Sequence, residues 1–194
     1  MSFNQILKVI DKNIGKHFVL GIDGLSRSGK TTLVKQLEQK LKQKDASFYM
    51  FHIDDHIVER SNRYHTKFEE WYEYYYLQWD IEWLRYHFFQ QLKRKEQFRL
   101  PFYDVKTDFC KMRDIKIPIP CTIIIEGVFL QRKEWREYFD YIIYVDCPRE
   151  KRFAREHESV QKNISKFKNR YWKAEDHYLE TELPKQRAHF IMEE

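Results

Sequence analysis

Eight consecutive residues, Gly24-Leu25-Ser26-Arg27-Ser28-Gly29-Lys30-Thr31, fit the pattern G-x-x-x-x-G-K-[ST], and each constrained type has a use in holding phosphate. Glycines let successive backbone N–H groups curl inward around an anion, and the start of the following helix adds its dipole. Lys30 would reach the β- and γ-phosphates, and the Thr31 hydroxyl would give one oxygen to Mg²⁺. The nucleotide-binding segment is therefore expected to comprise Gly24, Ser26, Arg27, Ser28, Gly29, Lys30, Thr31 and Thr32, with ATP and Mg²⁺ as the implied cofactors. Four constrained positions match by chance in roughly one chain of this length in a hundred. The flanks sharpen the match, because HFVLGID reads as a strand and TTLVKQLEQKLKQK as a helix. The plainer alternative is a glycine-bearing turn that happens to carry Lys-Thr.

Carboxylates are placed to serve that loop. Asp54 and Asp55 end the apolar run SFYMFHI, so a buried parallel strand would deliver them to the same sheet edge as the loop. A carboxylate there can act as general base if it lies within hydrogen-bond reach of an acceptor hydroxyl; capping the next helix is the other reading. Glu126 follows three isoleucines in TIIIEGV, a position that costs energy unless a cation or hydrogen bonds meet it. Thr31 and Glu126 are thus the candidate metal-side residues, with helix capping as the alternative for Glu126. Between Pro148 and Arg170, eight lysines and arginines face three glutamates. Arg152 and Arg155 share a helical face in this segment. A lid there would exclude water and neutralise charge on the transferred phosphoryl group, whereas a solvated charged helix would do neither.

The elements that must position these groups follow from periodicity. Phe3, Ile6, Leu7, Ile10 and Ile14 predict an amphipathic helix over 2–14, with Ser2 as N-cap and Gly15 as stop. Leu33, Val34, Leu37 and Leu41 share one face of the helix after the loop. Buried strands are expected at 17–23, 47–53, 121–128 and 141–145, a helix near 133–138, and an edge strand at 188–192. Residues 68–95 are aromatic and charged, with Ile81, Leu84, Phe88 and Leu92 marking a helix from about Asp80. The aromatics from Trp71 to Trp83 are candidates for an acceptor pocket wall, or for core. Alternating strand and helix imply a three-layer α/β P-loop NTPase fold with a mostly parallel five-stranded sheet. The whole chain, 1–194, reads as one domain with a small helical acceptor-side insertion at 56–95 and a basic lid at 148–170.

Composition excludes several classes. The chain is 42% hydrophobic and 34% charged, as in globular proteins, and no apolar run approaches eighteen residues. The N-terminus MSFNQILKVIDKNIGK has no signal-peptide core, so the expected location is cytoplasmic with no membrane partner. A net charge of +5 suits a small anionic ligand and is too mild for nucleic acid. Cys110, Cys121 and Cys147 form no Cys-x-x-Cys pair and read as reduced thiols in or near the core. The partners expected are a nucleotide and a small-molecule acceptor, and a homo-oligomer is compatible with the sequence.

With these residues in hand, most of the chain resembles the uridine kinase and phosphoribulokinase group of P-loop kinases, which also includes nicotinamide riboside and pantothenate kinases. GIDGLSRSGKTTL is similar to that group's phosphate loop, and FHIDDHI to its second-strand motif, whose first aspartate, here Asp54, is the catalytic base. QWDIEWL resembles the stretch whose aspartate grips ribose hydroxyls, which implies a substrate role for Asp80. LPFYDVKT resembles the Tyr-Asp segment near the base, which implies the same for Tyr103. IIIEGV resembles the segment whose glutamate, Glu126 here, sits near magnesium, and VDCPREKRFARE looks like the start of the lid that bears Arg152 and Arg155. RYWKAEDHYLE and AHFIM resemble the closing helix and strand. Two positions depart from the pattern: Asp108 stands where uridine kinases carry a base-reading histidine, and His56 replaces an aromatic. The resemblance implies ATP-dependent phosphoryl transfer to a hydroxyl, with catalytic Lys30, Asp54, Arg152 and Arg155 and a nucleoside as the leading acceptor. A non-nucleoside alcohol such as pantothenate or a sugar phosphate is one alternative. A nucleotide-binding switch is another, although the Asn-Lys-x-Asp guanine motif is missing.

Overall fold

The computed structural model describes residues 3–162 and 164–194; the expected N-cap at Ser2 lies outside them. The chain opens with α1 (Phe3–Asp11), β1 (Phe18–Asp23), α2 (Lys30–Gln43) and β2 (Phe48–His52). Short helices α3 (Arg60–Arg63), α4 (Glu70–Tyr76) and α5 (Ile81–His87) follow, then β3 (Gln97–Asp104) and β4 (Phe109–Lys116). The second half contains β5 (Thr122–Gly127), β6 (Tyr141–Asp146), α6 (Arg149–Ala154), α7 (Glu158–Gln161) and α8 (Ile164–Lys166). It closes with α9 (Lys173–Glu182), α10 (Pro184–Arg187) and β7 (Phe190–Glu193).

Side-chain alternation along the strands builds three layers. The main sheet has the order β2-β5-β1-β6-β7 with every pairing parallel. Leu20, Ile22, Ile124, Ile143 and Val145 point to one face, where they meet Ile6 and Ile10 of α1 and Leu33, Val34, Leu37 and Leu41 of α2. Val19, Ile123, Ile125, Ile142 and Tyr144 point to the other, into a core shared with Tyr75, Trp79, Leu84 and Trp135. A period of two therefore feeds two cores from one sheet. Full burial of each such aliphatic side chain contributes about 1.5–3 kcal/mol.

Two expectations need correction. The stretch 133–138 is not an α-helix: turns lead into a single 3₁₀ turn, Arg136–Tyr138. Trp135 and Arg132 are buried there, with the Trp135 indole N–H donating to the Ile81 carbonyl and Arg132 to that of Tyr75. These long-range anchors override local helix geometry. The chain after the helical insertion also forms an antiparallel hairpin, β3–β4, which sequence reading missed. Phe98, Leu100 and Ile115 are its buried positions. Pro101, which weakens a strand reading, is tolerated because a two-stranded ribbon leaves an unpaired edge.

The lid segment is ordered as α6, α7 and α8, followed by a π-helical stretch, Phe167–Trp172, that runs into α9. Its last arginine, Arg170, is buried and pairs with Glu73 of α4 at 3.0 Å while donating to the Arg63 and Glu70 carbonyls. The lid base is thus bolted to the insertion, since breaking a buried ion pair from one side typically costs about 3–5 kcal/mol.

Candidate active site

At the carboxyl ends of the strands lies a cavity of about 640 Å³, bordered by residues 26–32 of the loop together with Asp54, Glu126 and the lid. The loop's shape depends on its first glycine. Gly24 has φ +152°, and a Cβ there would fall 2.6 Å from the Val145 carbonyl oxygen and 2.8 Å from Ser28 Oγ. Gly29, at φ +101°, then starts α2 without any side-chain cap, so the first N–H groups of the helix are left for a ligand. Ser28 is 1% exposed and its hydroxyl has no hydrogen-bond partner, an orphan that a phosphate oxygen would satisfy.

Lys30 is buried, its Nζ donating to the Leu25 carbonyl at 2.9 Å. Burial pushes its ammonium pKa down, and the carboxylates of Glu126, Asp54, Asp23 and Glu175 oppose that shift. Asp54 is exposed to solvent and borders the cavity. Lost hydration pushes its carboxyl up, Lys30 pulls it down, and Glu126 and Asp55 add to the rise. Asp54 borders the cavity and Asp55 does not, which distinguishes the two strand-end aspartates.

Parallel register places Glu126 of β5 beside His52 of β2, and His52 Nδ1 donates to Glu126 Oε2 at 2.8 Å. That bond raises the His52 pKa against the opposing effect of burial. Thr31, Glu126 and Asp54 put only hard oxygen donors on the cavity wall. The set fits Mg²⁺, which keeps most of its waters and takes phosphate oxygens, and no softer or denser ligand cluster occurs among the described residues.

Three supporting residues were absent from the sequence reading. Asp23, at the end of β1 and fully buried, accepts from Tyr178 Oη at 2.6 Å, Gln131 Nε2 at 2.9 Å and the Leu130 N–H at 3.2 Å. Burial pushes its carboxyl up while the Tyr178 and Gln131 bonds pull it down, and the network ties the base of the loop to α9. A carboxylate closing the apolar run FVLGID was the available signal. Glu175 takes the Arg152 guanidinium in a two-pronged pair, 2.7 and 2.9 Å. Glu194 accepts from Arg155 at 3.5 Å, on the rim beside Gly29.

Arg152 and Arg155, the arginines expected to serve the transferred phosphoryl group, both border the cavity. Arg152, 5% exposed, also donates to the Cys147 and Ser26 carbonyls, so its guanidinium grips the loop while it borders the cavity. Arg155 donates to the Arg27 carbonyl at 2.9 Å, and Arg27 in turn pairs with Glu156 at 3.0 Å. The lid thereby holds the outer side of the phosphate loop.

The opposite wall is aromatic. Tyr74 stands edge-on to Tyr171 at 5.0 Å, and Phe167 meets Tyr171 at 5.2 Å and Phe153 at 5.0 Å. Of the Trp71–Trp83 block, only Tyr74 borders the cavity; Tyr75 and Trp79 are core, and Trp83 stacks on His87. Two predicted substrate residues are also elsewhere. Asp80 is the N-cap of α5, its Oδ1 accepting the Trp83 N–H at 3.0 Å, because a carboxylate at a helix start satisfies an orphan donor. Tyr103 lies on β3 and donates to Asp108 Oδ1 at 2.9 Å, while Asp108 also accepts the Arg60 N–H. Neither Asp80 nor Tyr103 borders the cavity.

Comparison with known proteins gives a consistent result. A profile described as the phosphoribulokinase / uridine kinase family matches residues 19–164. The uridine kinase of Bacillus pumilus is 31% identical over 144 residues, which cover 72% of this chain and 66% of that relative's length. The uridine kinase of Borrelia duttonii is 26% identical over 171 residues, 84% of this chain and 75% of the relative. Among solved structures, a "possible uridine kinase" from Bacillus stearothermophilus superposes with a TM-score of 0.86 at 53% identity, covering 98% of this chain and 96% of the other. A D-glycerate 3-kinase from Cryptococcus neoformans has a TM-score of 0.54 at 13% identity, covering 86% of this chain and 80% of the other; it shares the fold alone.

Proposed function

Since the chain belongs to the phosphoribulokinase / uridine kinase family, we propose that it transfers the γ-phosphoryl group of ATP to a hydroxyl of a small metabolite, with a nucleoside as the leading acceptor. The observation that carries this reading is the meeting of Lys30, Asp54 and Glu126 with the phosphate loop around one cavity that also has an aromatic wall. Thr31 and Glu126 would hold Mg²⁺ with its waters, and the ion would supply positive charge against the phosphates. Lys30 neutralises the β- and γ-phosphates, and the free N–H groups at the start of α2 bind the same oxygens. Asp54 orients the acceptor hydroxyl and takes its proton as the phosphoryl group arrives. His52 holds the Glu126 carboxylate in place, and Arg152, fixed by Glu175, holds Ser26 and with it the loop. The rings of Tyr74, Phe167 and Tyr171 offer stacking surface to a flat acceptor.

A second acceptor class draws support from the hairpin. Asp108, at the position where uridine kinases read a pyrimidine with histidine, has its carboxylate engaged by Tyr103 and the Arg60 N–H. A non-nucleoside alcohol would not need that contact. We place the activity in the cytoplasm, in keeping with the lack of any helix long and apolar enough to cross a membrane among the described residues.

The test is coupled ADP release with Mg·ATP against uridine, cytidine, other nucleosides, nicotinamide riboside, pantothenate and ribulose 5-phosphate. Release that depends on one nucleoside supports the leading reading, and release that depends only on a non-nucleoside alcohol transfers it to the second. Nucleotide binding without acceptor-dependent release from any of them would overturn both.

A further inference from the structure

Helices α4 and α9 each serve two cavities. Tyr74 and Glu175 border the phosphate-loop cavity, whereas Tyr75, Tyr76, His177 and Glu182 border a second cavity of about 380 Å³. Neighbouring residues on a helix point to different sides, so one pair of helices separates the two spaces. The remaining wall comes from the β5–β6 connection and α10.

The second cavity is electrostatically unbalanced. Arg132, Lys133, Arg136 and Arg187 face only two carboxylates, Glu134 and Glu182, leaving an excess of two positive charges. Arg136 pairs with Glu182 through one terminal nitrogen, and its other, Nη1, is buried with no hydrogen-bond partner. An unpartnered guanidinium nitrogen on a residue that borders a cavity is a group that a bound anion would satisfy once the side chain turns toward it. Arg187, exposed at the end of α10, has no ion-pair partner among the described residues. Beside these cations, Tyr76 Oη and His177 Nε2 are 2.9 Å apart, and the His177 ring meets that of Tyr75 edge-on at 4.8 Å. Together these supply an apolar ring surface next to an excess of two positive charges.

We propose that this cavity is a second ligand site for a small phosphate monoester carrying a ring, separate from the phosphate loop and from the kinase reading. The phosphoryl dianion would lie between Arg136 and Arg187, matching both the charge excess and the unused Nη1, and the ring would rest against Tyr76 and His177. A volume of about 380 Å³ suits a ligand of that size.

The test uses the full chain and phenyl phosphate, with inorganic phosphate and phenol as the probes lacking one half. Titration calorimetry is run with and without an excess of a non-hydrolysable ATP analogue and Mg²⁺. Phenyl phosphate should bind one to one, equally well in both conditions, at least tenfold more tightly than either half-probe. Arg187→Glu should weaken phenyl phosphate at least tenfold and Lys133→Glu severalfold; both side chains are exposed, so the fold should survive, as circular dichroism checks. Three results overturn the proposal: no saturable binding, displacement of phenyl phosphate by the analogue, or unchanged affinity in Arg187→Glu. Failure of the analogue itself to bind would count against the kinase reading and leave this site standing.

Discussion

The two walls of the phosphate-loop cavity are built in opposite ways. The phosphate wall hangs on the parallel sheet: Asp23, Glu126 and the loop follow directly from β1 and β5, whose residues are buried along their entire length. The aromatic wall, proposed as the acceptor side, is assembled from α4, the lid and the π-helical stretch, short elements held to one another by ion pairs and ring contacts. Buried strands place atoms accurately because both faces are packed, so this wall can carry chemistry that tolerates little displacement. Short elements joined by a few side-chain contacts can be rebuilt around a different acceptor without disturbing that chemistry.

The largest expected effect tests the phosphate wall. Lys30→Ala should abolish acceptor-dependent ADP release, since it removes the ammonium proposed to neutralise the β- and γ-phosphates; retained turnover would dissolve the distinction between the walls. Asp54→Asn should leave analogue affinity nearly intact and lower kcat by about two to four orders of magnitude, as loss of a general base does. Glu175→Ala strips the buried Arg152 of its carboxylate, at a cost of about 3–5 kcal/mol by denaturant unfolding. Because Arg152 grips Ser26, this change on the lid side should also weaken nucleotide binding. Unaltered analogue affinity would mean that the loop is held by the sheet alone.

Phe167→Ala sharpens the comparison from the other side. It should raise KM for the acceptor by roughly tenfold, about 1.4 kcal/mol, with analogue affinity unchanged. The smallest effect is in pH dependence. Burial raises the Asp54 pKa, so the base is protonated, and the rate low, up to a higher pH than for an ordinary aspartate. The acid limb of kcat/KM should therefore lie above the ordinary aspartate value of 3.8 and rise with pH, and it should vanish in the residual activity of Asp54→Asn.

What the sequence determined by itself is the half of the site that depends on local order. The loop needs glycine at a positive φ and lysine at the start of a helix, both set within a few residues, and apolar runs ending in Asp54 and Glu126 needed only a parallel sheet to bring them to one edge. The hairpin was faintly legible too, in the alternation of Phe98 and Leu100 with Ile115, but Pro101 and the surrounding charges obscured it. Tertiary structure decided everything that depended on partners distant in the chain. The carboxylate that fixes Arg152 is Glu175, twenty-three residues on, which takes its guanidinium in a fork. Asp80 caps α5 by accepting the Trp83 N–H, a contact set by where that helix starts. Asp23 gave no sign of anchoring the loop until Tyr178 and Gln131 converged on it. A charged side chain in a string of letters shows what it can bond to, and only the fold shows which partner reaches it first.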